Sequence, residues 1–168
     1  AMHGRPGVIL FAHGSRDPRW AEPFERLRDK LQAQRPDADV RLAFLELMTP
    51  NLADAVADMT LQGTSEITLV PVFLGQGGHV RRDLPALADA CRAAHPGLAL
   101  HVSAAIGEDD KVLDALADAL LSLVGDEELR RSMGRAALAN ATRYSLAAVA
   151  ERCSDLFTSL VVRRGRSG

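Results

Sequence analysis

The sequence predicts an α/β fold in which a four-stranded parallel sheet has helices on both faces and is followed by a C-terminal helical extension. Three observations predict it. Short apolar segments alternate with longer segments whose apolar residues recur every three or four positions, as in amphipathic helices. The short segments lack polar alternation, which is typical of strands buried on both faces of a parallel sheet. After about residue 125 only helical spacing continues.

The first two strand and helix pairs follow each other closely. The apolar run GVILFA predicts a strand at 7–12. An amphipathic helix is expected from Asp17–Pro18 to about Arg35, because a proline in the first turn favours a helix start. The run ADVRLAFL predicts the second strand at 38–45, and a second helix opens at Pro50 and ends at Gly63.

The third and fourth pairs complete the sheet. EITLVPVFL predicts a strand at 66–74, although Pro71 is unexpected there because proline cannot donate a ladder hydrogen bond. The third helix is expected after the glycine-rich loop 75–79, through Leu84, Leu87, Ala90 and Cys91. A fourth strand at 98–105 and a fourth helix at 110–124 follow. Alternating strands and helices predict right-handed crossovers in one parallel sheet.

Length and composition indicate an ordinary globular protein. The chain has 168 residues and a formal net charge of -2, so the overall charge favours neither a nucleic acid nor a membrane surface as partner. We expect an α/β domain at 1–124 and a helical extension at 125–168. Cys91 and Cys153 lack metal-ligand spacing, no apolar stretch approaches the roughly 20 residues of a spanning helix, and we expect a cytoplasmic location.

Candidate metal ligands follow the first three strands. His13 follows the first strand, Glu46 follows the second, and His79 ends the loop 75–79 after the third. Because ligands bind outside the carboxyl ends of parallel strands, these side chains are expected at one edge of the sheet. Imidazole and carboxylate bind several divalent metal ions, and imidazole also accepts protons near neutral pH. The sequence leaves both roles open for these residues.

A basic rim is predicted at the same edge. Arginines there, together with backbone N–H groups exposed by glycines and helix starts, suit an anionic ligand with several carboxylates. Arg19 and Arg82 are interpreted as solvated charges at helix starts. The candidate substrate-binding residues are Ser15, Arg16, Gln76, Gly77, Gly78 and Arg81.

Three motifs in order carry a family resemblance: HGSRDPRW at 13–20, FLEL followed by proline at 44–50, and PVFLGQGGHVRRDLP at 71–85. Over about residues 7–123 the chain resembles the small CbiX-type sirohydrochlorin chelatases of cobalamin and sirohaem biosynthesis. The resemblance implies the chelatase fold.

The same resemblance implies an activity. It is the insertion of divalent cobalt or iron into an acidic tetrapyrrole, without nucleotide hydrolysis or an organic cofactor. It also implies that His13 and His79 bind the metal or take pyrrole protons, that Glu46 assists metal binding, and that the protein forms a homodimer.

The C-terminal extension departs from this pattern. Residues 125–164 resemble the C-terminal helices of retaining GT-B glycosyltransferases, which have two Rossmann domains. The chain shows no nucleotide-sugar site, so we interpret the extension as a helical cap or a dimer contact.

Two other functions were weighed. A metal- or tetrapyrrole-binding protein without turnover fits the same residues and stays open as the alternative. Phosphoryl transfer through a phosphohistidine requires an arginine directly before the histidine. Ala12 occupies that position, so the sequence argues against this function.

Overall fold

The computed structural model describes residues 5–75 and 77–141, together with 145, 147, 150, 151 and 154; the side chains of 78–81 lie outside the described part. The described chain divides into two compact units, Ala1–Asp114 and Ala115–Gly168. The predicted domain boundary at residue 124 stays a prediction. No helix of the described part is long and apolar enough to span a membrane.

The first unit alternates strands and helices as predicted. The strands are β1 (Gly7–Ala12), β2 (Asp39–Phe44), β3 (Glu66–Pro71) and β4 (Ala99–Val102). The helices between them are α1 (Glu22–Gln34), α2 (Leu52–Leu61) and α3 (Gly78–Ala94). Short 3₁₀ turns at Pro18–Ala21 and Ile106–Glu108 precede α1 and α4 (Asp110–Gly125), and α5 (Glu127–Ala141) follows.

The four strands form one parallel sheet in the order β2-β1-β3-β4. The expected α/β class with a four-stranded parallel sheet is therefore confirmed. In the register Ala12 pairs with Phe44 of β2, and Phe11 pairs with Pro71 of β3. The ends of these three strands thus lie level with one another at the carboxyl edge.

Helices cover both faces of the sheet. On one face Ile9 and Phe11 of β1 belong to a buried cluster with apolar residues of α2 and α3. On the other face Leu10 and Ala12 belong to a second cluster, against which Phe24 and other apolar residues of α1 pack. Because successive residues of a strand face opposite sides, the unbroken apolar run of β1 supplies both clusters.

The third strand is shorter than predicted because of Pro71. The N–H of Val72 donates to the carbonyl of Phe11 in β1 at 2.8 Å, so the nitrogen of Pro71 faces the β4 side. The ladder between β3 and β4 ends at the pair Leu69–Val102, before this proline. The proline therefore terminates the pairing instead of interrupting it.

The third helix begins earlier than predicted. It starts at Gly78, so His79 and Arg81 lie in its first turn, and the expectation that His79 lies in a loop before the helix is wrong. Leu84 and Ala88 are both buried in the same cluster, one turn apart. Because Leu84 precedes the proline, the buried face of the helix is already formed before Pro85.

The predicted helix over residues 125–164 falls partly within the described chain. The helix α5 covers Glu127–Ala141. The remainder of this prediction, including Cys153, lies mostly outside the described residues.

Candidate active site

The strand order creates a topological switch point. The chain leaves β1 towards β2 on one side and returns to β3 on the other side of β1. In open α/β sheets, ligands bind in the crevice outside the carboxyl ends of the strands at such a point. His13 directly follows β1, and the segment 75–79 follows β3 into α3. The topology therefore brings two of the predicted site segments to the switch point.

His13 and Glu46 lie side by side. The N–H of Glu46 donates to the carbonyl of His13 at 3.0 Å, which continues the contact between β1 and β2 beyond the strands. Their side chains approach with 3.4 Å between Nδ1 and Oε1, and they are 48% and 54% exposed. This distance lies within ion-pair range and is long for a hydrogen bond. A nitrogen and an oxygen donor are thus adjacent and open to solvent.

Gly14 makes this approach possible. Its φ is +97°, a conformation that L side chains rarely adopt, and a Cβ there would lie 1.8 Å from the carbonyl oxygen of Glu46. The obstacle is backbone, which cannot rotate away as a side chain does. The glycine of the His13-Gly14 motif is therefore needed for the pairing of His13 with Glu46.

A tight turn fixes Glu46 from the other side. The N–H of Met48 donates to the carbonyl of Glu46 at 2.8 Å. Leu47 between them has a φ of +64°, the single non-glycine residue of the described chain with a positive φ. A three-residue turn with positive φ at its centre is rare and strained. Nothing local in the sequence FLELM predicts this turn.

The segment after β3 is held from the β4 side. The N–H of Gly107 donates to the carbonyl of Phe73 at 2.9 Å. A Cβ on Gly107 would lie 2.1 Å from the carbonyl oxygen of Leu74. Gly107 therefore allows a close backbone contact that fixes the chain just before Gly75. Gly107 is not among the predicted site residues, because its only sequence signal is a glycine shortly after a predicted strand.

His79 is placed by its backbone alone. It occupies the first turn of α3, after Gly77, which is the N-terminal cap residue in an extended conformation. The side chains of His79 and Arg81 lie outside the described part, and Gln76 lies outside the described residues. The joint site of His13, Glu46 and His79 stays a prediction. Among the described side chains, no group of three His, Cys, Asp or Glu residues is placed to hold a metal ion.

The segment after His13 carries two candidate substrate-binding residues. Ser15 is half-buried, and its hydroxyl accepts a hydrogen bond from the N–H of Asp17 at 3.2 Å. Arg16 is exposed beside it. Arg19 instead contacts the Asp17 carboxylate at 3.0 Å, and this hydrogen-bonded guanidinium lowers the pKa of Asp17. Of these two arginines, Arg16 is therefore the exposed one.

Other titratable residues have local contacts. His101, on β4, lies 3.8 Å from the carboxylate of Glu66, and both are exposed. Cys91 is buried on α3, and burial raises the pKa of its thiol. A neutral thiol is a poor metal ligand and nucleophile. His101 and Cys91 are therefore not part of the candidate site. Its described side chains at the switch point are the imidazole of His13 and the carboxylate of Glu46.

Two grooves of the first unit lie elsewhere. One, of about 350 Å³, is mainly apolar and is lined by residues of α2 and α3, such as Cys91, together with Phe44, Leu45 and His95. The other, of about 430 Å³, borders β2. Neither is lined by His13 or Glu46. These two grooves therefore do not include the candidate active site.

Together, the fold and the site define a doubly wound α/β protein with a histidine and a carboxylate paired at its topological switch point. The model of the CbiX family matches residues 7–123. The chain belongs to the CbiX family, as the resemblance implied.

Known proteins agree with this assignment. The chain is 33% identical over 86 residues to the sirohydrochlorin cobaltochelatase of Methanosarcina acetivorans. This alignment covers 51% of the chain and 66% of that relative, just under two thirds of its length.

Solved structures share the fold. A cobalamin (vitamin B12) biosynthesis CbiX protein from Marinobacter aquaeolei matches with a TM-score of 0.65 and 33% identity, covering 71% of this chain and 98% of that one. The sirohydrochlorin chelatase SirB from Bacillus subtilis subspecies spizizenii, in complex with cobalt, matches with a TM-score of 0.63. At 21% identity, covering 71% of this chain and 51% of SirB, this second likeness concerns the fold alone.

Proposed function

We propose that this chain inserts divalent cobalt or iron into sirohydrochlorin or a related acidic tetrapyrrole, without nucleotide hydrolysis. The observation that carries the proposal is the pair of His13 and Glu46 side chains, 3.4 Å apart at the switch point of a CbiX-family fold. The relative from M. acetivorans is named a sirohydrochlorin cobaltochelatase, which supports the same reaction here. The metal ion is a substrate of this reaction, in cobalamin or sirohaem biosynthesis.

Metal insertion requires the protein to perform two steps. Insertion exchanges one divalent ion for two pyrrolic protons, so the ion must lose water and the protons need an acceptor. Imidazole and carboxylate donors bind such an ion in place of water. Because both side chains are about half exposed, an accepted proton passes directly to solvent. We propose that His13, His79 and Glu46 share these roles.

The acidic periphery of the substrate needs cations and hydrogen-bond donors. Arg16 is exposed three residues after His13, and Arg81 lies in the first turn of α3. Backbone N–H groups at the start of a helix favour anions. We propose that these arginines, with Ser15 and the segment 76–78, bind the substrate carboxylates.

Two further parts of the proposal concern assembly and location. We propose a homodimer, which analytical ultracentrifugation of the full chain tests: a single species of the monomer mass contradicts it. The cytoplasmic location stays the expectation from the sequence, and cell fractionation tests it.

The activity is tested by incubating the purified protein with sirohydrochlorin and Co²⁺ or Fe²⁺ while the visible spectrum is followed. We expect insertion faster than in the metal-only reaction. His13→Ala and His79→Ala should each lose about 100-fold in rate with the fold intact. His101→Ala is the matched control, because it removes an exposed histidine that also lies beside a carboxylate.

The alternative function predicts a different result. If the protein binds tetrapyrrole or metal and the reaction is no faster than without it, the chain is a binding protein and not a chelatase. If the wild type and both histidine variants have equal rates of insertion, His13 and His79 are not part of the active site.

A further inference from the structure

Exposed leucines flank the candidate active site. Among the described side chains of the first unit, three large apolar ones are more than half exposed: Leu47 at 57%, Leu61 at 87% and Leu74 at 64%. Leu61 ends α2, at the opposite edge of the sheet from the site. Leu47 and Leu74 instead lie in the segments that directly follow β2 and β3. Two of the three therefore lie at the carboxyl edge.

The strand order places these two leucines on either side of His13. β1 lies between β2 and β3, and neighbouring strands are about 4.8 Å apart, so β2 and β3 are separated by about 10 Å. His13 follows β1, in the middle of this interval. The segments that contain Leu47 and Leu74 thus follow the two strands that flank the strand before the proposed metal ligand.

Both leucines are held by backbone contacts. Leu47 has a φ of +64° in the turn closed by the Met48 N–H and the Glu46 carbonyl. This left-handed conformation is energetically unfavourable for leucine, whereas glycine or asparagine adopts it readily. The backbone of Leu74 lies against Gly107, whose N–H binds the carbonyl of Phe73. A strained, exposed leucine beside the carboxylate of Glu46 indicates a ligand-binding position, since backbone strain concentrates at binding sites.

A tetrapyrrole presents two kinds of surface to a protein. Its carboxylates suit the arginines, but its ring system is apolar and needs apolar contacts. Trp20 and Phe24 contact each other instead, with ring centroids 4.6 Å apart at an angle of 35°, and both pack against the second buried cluster. We propose that Leu47 and Leu74 contact the macrocycle of the substrate on either side of His13 and determine its affinity. The inference rests on the proposed function.

The test measures affinity and turnover separately. Leu47→Asn and Leu74→Ala should each raise KM for sirohydrochlorin about tenfold, equal to 1.4 kcal/mol, with kcat within twofold of the wild type. Leu47→Asn should be at least as stable as the wild type, because asparagine tolerates positive φ. Leu61→Ala, the exposed leucine at the opposite edge, is the matched control and should change nothing.

Binding of metal-free sirohydrochlorin, followed by its fluorescence, gives a readout that needs no turnover. The same two variants should weaken this Kd about tenfold. If the wild type shows no insertion, the proposed function fails, and the Kd values still decide the role of the leucines. Unchanged Kd and KM in both variants overturn the inference. A change in the sedimentation of the variants without a change in Kd also overturns it, because the leucines are then a contact between copies of the chain.

Discussion

Replacing Gly14 with alanine tests the geometry of the site most sharply. The new Cβ would lie 1.8 Å from the Glu46 carbonyl oxygen, so this oxygen must retreat by roughly 1.5 Å to reach van der Waals distance. The positive φ adds about 1–2 kcal/mol. With about 1–3 kcal/mol for the forced backbone shift, Gly14→Ala should destabilise the fold by about 3 kcal/mol. The rate of insertion should fall about 100-fold, because misplacement by 1 Å has effects of that size.

Gly63→Ala provides the matched control. Gly63 also has a positive φ, +90°, but nothing lies within 4 Å of the position of its Cβ. This variant should lose about 1–2 kcal/mol and keep the wild-type rate of insertion. The difference between the two variants isolates the contact with Glu46 from the cost of the left-handed conformation.

Urea unfolding gives the stability of both variants, and the visible spectrum of the tetrapyrrole gives their rates. The reasoning is refuted if Gly14→Ala loses no more stability than Gly63→Ala. It is also refuted if Gly14→Ala retains the full rate of insertion, since the new Cβ displaces the backbone of Glu46 and with it the carboxylate beside His13.

Three further predictions concern residues around the site and the core. Gly107→Ala should lower stability by about 2 kcal/mol and the insertion rate at least tenfold, whereas Gly97→Ala, with open space around its Cβ, should leave the rate unchanged. The Asp17 carboxylate accepts a hydrogen bond from the N–H of Arg19 at the start of the 3₁₀ turn, and Asp17→Asn keeps this acceptor but loses the charge beside the Arg19 guanidinium. Because the pKa of Asp17 is lowered, this charge stabilises the fold above the ordinary carboxyl pKa, and the stabilisation is lost as the pH falls through the lowered pKa. The unfolding midpoints of this variant and the wild type should therefore differ at neutral pH and converge as the pH falls through the lowered pKa of Asp17; a constant difference contradicts the assignment. Cys91, 4% exposed and with a raised thiol pKa, should react with a thiol reagent only as the protein unfolds, and rapid modification in the native state, located by peptide mass, would contradict its burial.

Much of the fold follows from local sequence patterns. The run at Gly7–Ala12 matches β1 at both ends, because Pro6 directly precedes the apolar segment and the polar His13 follows it. The other strands are shorter than predicted by two to four residues at their ends. For β3 the cause is Pro71, and for β4 the pairing stops where this proline faces it. Strand ends therefore depend on the partner strand as well as on the strand itself.

The pairing of His13 with Glu46 was predictable from the rule for parallel strand ends. The contacts that hold the pair were not. Gly14 lies against Glu46, and Gly107 lies against Leu74, and each contact joins segments more than thirty residues apart in sequence. The positive φ of Leu47 has no local sequence signal either, since leucine disfavours it. Such features follow from the packing of the assembled sheet edge.

The metal ligands themselves provide the most direct test of the proposed site. X-ray absorption of Co²⁺ bound to the wild-type protein should show two imidazole nitrogens together with oxygen donors. His79→Ala should reduce this to one imidazole, and His101→Ala should leave two. A wild-type spectrum with oxygen donors alone, or a His79→Ala spectrum identical to the wild type, would contradict the shared site of His13, His79 and Glu46.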